Sequence, residues 1–169
     1  MSGSLVDDAF AHHVWATLRL IDACLTLTPE QLDTPVPGTY GTIMETVRHS
    51  VEGDTYYLSH LTGDPDREVD SSQMDLRELR AAMEVDERTW IELIAKDLDP
   101  DAVVNDVDEG SWVRKTSVGV RFAQALHHGT DHRSQICTAL TTLGVEPPLI
   151  DVWAFGADTG RVVELPPTS

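Results

Sequence analysis

Apolar residues recur at three- and four-residue steps in four stretches of the chain, and each stretch predicts an amphipathic helix. The first runs from about Leu5 to Leu27, with Val6, Phe10, Val14, Thr17, Leu18, Ile21 and Leu25 at helical spacing. The second starts near Thr42 and ends around Leu61, where Thr62-Gly63-Asp64-Pro65 stops it; its stripe is Ile43, Val47, Val51, Tyr57, Leu58 and Leu61. In the third, about Asp75 to Asp97, Leu76, Leu79, Met83, Trp90, Leu93 and Ile94 recur. The fourth, about Gly119 to Leu143, buries Ala125, Ile136, Ala139, Leu140 and Leu143 and stops at Gly144, a C-cap glycine.

The connections differ from one another. Thr28-Pro29-Glu30-Gln31 reads as an N-cap with proline at the first helical position, and starts only a short turn. Pro35, Pro37 and Gly38 then force an extended crossing. A polar linker covers Asp66 to Gln73. From Ala102 to Val118 the period changes: Val103 and Val104, the turn Asp108-Glu109-Gly110, then Trp112-Val113-Arg114-Lys115-Thr116 predict a short β-hairpin. After Pro147-Pro148 come a small apolar turn, Ile150 to Phe155, and an unpatterned end. The fold expected is all-α: a single domain over residues 1–169, a four-helix bundle with a long crossover between helices 1 and 2 and a small hairpin inserted before helix 4.

Composition narrows the function. The chain has 169 residues, 41% hydrophobic and 24% charged, with a formal net charge of −17. Such a field repels phosphate backbones, and no basic cluster offsets it, so no nucleic-acid partner is expected. No apolar run approaches the ~20 residues that span a bilayer, and Met1-Ser2-Gly3-Ser4 does not open a secretion signal, so a cytoplasmic protein without a membrane partner is expected. Two cysteines, Cys24 and Cys137, sit in separate predicted helices and suggest small packed residues in a reducing compartment.

The chemistry concentrates in histidines. His128 and His132 stand one turn apart on the fourth helix, a spacing that lets two imidazoles grip one metal ion. At ~100° per residue His132 falls within the apolar stripe and His128 at its edge, where unpaired imidazoles cost more than a hydrophobic pair and a shared ligand compensates. The best third ligand is His49, although it lies ~80° outside the apolar edge marked by Tyr57 and so predicts a site in a cleft at the flank. His13 borders the stripe of the first helix, whereas His12 and His127 are expected to point outward; His60 has no expected role. Trp15, Trp90, Trp112 and Trp153 read as packing residues, with Trp153 a candidate pocket wall.

The segment His128-Gly-Thr-Asp-His132-Arg133-Ser134-Gln135 resembles the H-x-x-x-H-R-x-Q signature of the DinB-like (damage-inducible, YfiT-related) four-helix-bundle family. Pro37 to Ile43, Thr46 to His49, Asp54 to Leu58 and Trp15 extend the likeness, which covers about Val6 to Phe155. The resemblance implies a metal held by His49, His128 and His132, and a homodimer. It also implies a place among bundles that include mycothiol- and bacillithiol-dependent transferases and isomerases.

Three imidazoles leave an open coordination sphere suited to catalysis, and they accept zinc, nickel or iron alike as the divalent transition metal. The expected activity is that of a metal-dependent enzyme acting on a small molecule, by hydrolysis or by transfer of a low-molecular-weight thiol; the alternative is a non-catalytic metal-binding or stress-response dimer. Gln135, ~20° from His128 around the helix, shapes the rim of the site. Asp54 lies inside the second helix's apolar stripe, where a carboxylate needs a partner; Arg133 is the expected one, and a general base near the metal is the functional alternative.

Overall fold

The computed structural model describes residues 5–108, 112–163 and 165, with the side chains of 5, 106–108 and 112 left out. The chain is mostly helical with one small antiparallel sheet. All four predicted helices form: α1 (Leu5–Cys24), α3 (Ile43–Thr62), α4 (Leu76–Ile94) and α5 (Val118–Thr142). The short turn after Thr28 is α2 (Pro29–Leu32).

Local chemistry sets the ends of these helices. Thr28 with Gln31, Thr42 with Glu45 and Asp75 with Glu78 each make a reciprocal capping box, which satisfies amide donors left over in the first turn. Gly63 (φ 72°) and Gly144 (φ 75°) follow α3 and α5 in the left-handed region, where a glycine pays no steric penalty. Strands β1 (Val103–Asp108) and β2 (Trp112–Ser117) pair from Val103 opposite Ser117 to Asp108 opposite Trp112. Glu109 and Gly110 of the expected hairpin turn lie outside the described residues.

Where only an apolar turn was expected, the tail forms α6 (Val152–Asp158), capped by Asp151, whose Oδ1 accepts the Ala154 N–H at 2.9 Å. Phe155 of this helix packs edge-on against His12 and Trp15, and the His12 Nε2–H donates to the Ile150 carbonyl at 2.7 Å. The expectation that His12 points outward is therefore corrected: the tail folds back over α1 and half-buries it.

Each of α1 and α3 packs on both α4 and α5. The connection from α3 to α4 returns along α3 itself. Glu68 accepts the Ser59 hydroxyl, the Val69 N–H reaches Thr55, the Ser71 hydroxyl reaches Glu52, and the Met74 carbonyl takes Arg48. Rising linker numbers meet falling helix numbers, so α4 starts beside the start of α3 and runs with it.

The core lies in two apolar halves. One holds Leu20, Ile21, Val47, Val51, Leu79 and Leu140; the other holds Phe10, Val14, Leu58, Met83, Trp90 and Ala125. Between them, at mid-height, a buried polar band crosses the helices through His13, Thr17, Ser50, Asp54, His132 and Arg133. Among the described residues no helix is long and apolar enough to cross a membrane.

Candidate metal centre

The 3.6-residue period brings His128 and His132 to one side of α5, ring centroids 4.4 Å apart, and the contact of α3 with α5 brings His49 to both of them. One ring nitrogen from each residue lies within 4.8 Å of the other two. His49 and His128 Nε2 atoms stand 3.2 Å apart. Two nitrogens bound at ~2.0–2.1 Å in a tetrahedral sphere are separated by roughly 3.3 Å, so this pair has the spacing that a shared ion needs. His132 is buried, while His49 and His128 are half-buried, so the cluster is partly exposed to solvent.

The environment favours metal ligation over protonation. Burial, then the neighbouring His132 and His49, push His128 down to about 4, and burial followed by His132 lowers His49 below its ordinary value. Near neutral pH these rings carry lone pairs. The Nδ1 of His128 is buried with no hydrogen-bond partner, so the neighbouring protein leaves that edge of the ring unengaged. The three histidines are positioned to bind a metal ion, and the donor set fits a divalent transition metal.

Neighbours hold the rings. Gln135 Oε1 takes the His132 Nδ1–H at 3.2 Å and the Tyr40 backbone N–H at 2.8 Å. The Tyr40 ring stacks on His49, centroids 4.0 Å apart and 6° between planes, and meets the edge of His132 at 5.5 Å. On the other side Tyr57 meets His128 at 5.5 Å, its hydroxyl held by the Gln124 side-chain amide at 3.3 Å. A Cβ at Gly53 of α3 would collide with His128 Cε1, so this glycine inside a helix exists to admit the ring.

A model of the DinB family matches residues 1–160. The chain belongs to the DinB family. No curated protein matches it significantly.

In this DinB-family chain Asp54 stands behind the histidines. It is 1% exposed, and both of its oxygens take the His13 Nε2–H, at 3.0 and 2.9 Å; Trp90 Nε1–H reaches Oδ2 at 3.4 Å. Arg133 Nη1 donates to His13 Nδ1 at 2.9 Å and to Thr17 Oγ1 at 3.1 Å. The expected Asp54–Arg133 pair is thus corrected: His13 stands between the two charges, donating to one and accepting from the other. Burial lowers the Arg133 guanidinium to about 10, with Asp54 opposing, and it stays charged. A Cβ at Gly129 would collide with His13 Cε1, so a second glycine makes room for a second imidazole.

The other candidates are more ordinary. His127 is exposed, and His60 is bonded to Ser59 and the Tyr56 carbonyl. Trp90 is core, Trp153 is 76% exposed, and the Trp112 side chain lies outside the described residues. Sequence reasoning missed Tyr40, Gly53 and Gly129 as parts of the site. For the glycines a signal existed, because a glycine inside a helical pattern costs ~1 kcal/mol against alanine and implies a close approach.

Proposed function

We infer that the protein is a metal-dependent enzyme built on a four-helix bundle, acting on a small molecule at His49, His128 and His132. The observation that carries this reading is the convergence of one nitrogen from each histidine, with His49 and His128 only half-buried. A divalent ion held there by three protein ligands supplies Lewis acidity, which acidifies water or a thiol and polarises an electrophile.

The chain's own residues would do the rest. Gln135 holds His132, and Tyr40 and Tyr57 frame the cluster as aromatic walls. Beyond Tyr57 lies a cavity of about 270 Å³ lined by Tyr56, Tyr57, Arg114, Thr116, Arg121 and Gln124, room for part of a small substrate. Asp54, enclosed and committed to His13, keeps the buried band in place and is a poor general base. The sulfur in a thiol transfer would come from the substrate: Cys24 is buried and its thiol pushed up to about 12, and burial also raises Cys137.

The test is turnover. Protein loaded with zinc, nickel or iron is expected to consume mycothiol, bacillithiol or glutathione in the presence of an electrophile, and to lose that activity as His128→Ala. Absence of turnover with all three thiols at full loading removes thiol transfer and leaves hydrolysis of small esters and amides as the version to assay. A non-catalytic metal-capture role is favoured by one observation, the Tyr40 ring lying flat on His49, which narrows access to the cluster.

A further inference from the structure

The segment between α2 and α3 connects the two helices and buries Val36 in the apolar core. Yet Tyr40 within it is 55% exposed and still lies 6° from parallel with the His49 ring. An exposed ring gains little from burial there, so its placement needs another explanation.

The hydrogen bonds supply one through a chain of forced choices. A backbone N–H can only donate, so the Tyr40 N–H, at 2.8 Å, requires that the oxygen of the Gln135 amide face the loop. An amide oxygen can only accept, so His132, at 3.2 Å from that same oxygen, must carry its proton on Nδ1. In the neutral ring Nε2 then holds the lone pair, the state a metal ligand requires.

We propose that Tyr40 is the positioning residue of the metal centre. Its ring fixes the orientation of His49, and its main-chain N–H, acting through Gln135, fixes the tautomer of His132. One loop residue thereby governs two of the three ligands while binding no metal itself. The proposal rests on reading the three histidines as a metal centre, and it ties metal retention to the position of the connecting loop.

The experiment compares wild type with Tyr40→Ala, Tyr40→Phe, Gln135→Leu and Gln135→Glu. Zinc affinity is measured by competition with a chromophoric chelator, and metal-free protein is examined by NMR of the histidine rings. Tyr40→Ala and Gln135→Leu are expected to weaken zinc binding roughly 10- to 100-fold. Tyr40→Phe keeps the stack and Gln135→Glu keeps an acceptor, so both should stay within about threefold of wild type. In the metal-free protein the His49 ring protons should be shifted upfield by Tyr40, and the shift should vanish in Tyr40→Ala. His132 should carry its proton on Nδ1 in wild type and lose that preference in Gln135→Leu.

Tyr40 is exposed, so the helical circular dichroism and melting of metal-free Tyr40→Ala should match wild type. Wild-type zinc affinity in Tyr40→Ala, with unchanged His49 ring shifts, overturns the proposal. Wild-type protein that binds no zinc removes the metal reading instead, and the ring orientation and tautomer are then decided by the NMR arm alone.

Discussion

Asp86 sits on α4, 3% exposed, with its Oδ2 buried and lacking a hydrogen-bond partner. Burial first, and the Asp54 charge second, push its carboxyl from 3.8 up to about 8, with Arg67 opposing. The folded state therefore holds a proton that the unfolded chain has already lost between pH 4 and 8. The stability this contributes is complete below pH 4 and disappears as pH rises through 8. Asp86→Asn should remove that slope and be more stable than wild type at pH 8, by about 2 kcal/mol or more, while differing little at pH 4. Thermal melts of both proteins across that range check it; parallel curves would show that the carboxyl is solvated. Single residues were unequally legible in the sequence. Asp54 stood out because a carboxylate inside an apolar stripe must have a partner, but which partner depends on where α1 lands against α3, and His13 intercepts Arg133. Tyr40 could not be found by periodicity, because it lies in a loop and acts partly through its main chain.

At the scale of elements, helix faces were readable because their period is fixed by the backbone. The pair His128 and His132 follows from that period alone, whereas His49 needs the packing of α3 on α5 and was reached as a candidate third ligand. The two glycines show what the pattern hides. Gly53→Ala improves helix propensity by ~1 kcal/mol, yet its Cβ would run into His128. It is expected to weaken metal binding at least tenfold with no ligand removed, measured by the same chelator competition; unchanged affinity would mean that the ring has room to move. The linker after α3 read only as polar, because its order comes from distant partners such as Glu52 and Thr55. The seven-residue α6 is too short for a periodic signal, and it appears because Asp151 caps it and Phe155 finds Trp15.

For the molecule as a whole, the division of the core by a polar band has a thermodynamic consequence. The histidines beside that band form a site only when α3 and α5 are packed together, so a ligand for it binds the folded chain and stabilises it. Zinc at 100 times its dissociation constant should add about 2.7 kcal/mol, raising the melting temperature by several degrees, and a chelator should reverse the rise. The acidity of the chain does not interfere, since a net charge of −17 attracts cations. The central claim, that residues 49, 128 and 132 share one ion, is tested most directly by elemental analysis of protein purified without an affinity tag. Wild type is compared with His49→Ala, His128→Ala and His132→Ala, each checked for helical content. The account predicts one equivalent of transition metal per chain in the wild type and its loss in all three folded variants. A full equivalent retained in His49→Ala, or in the double variant His128→Ala, His132→Ala, would contradict it.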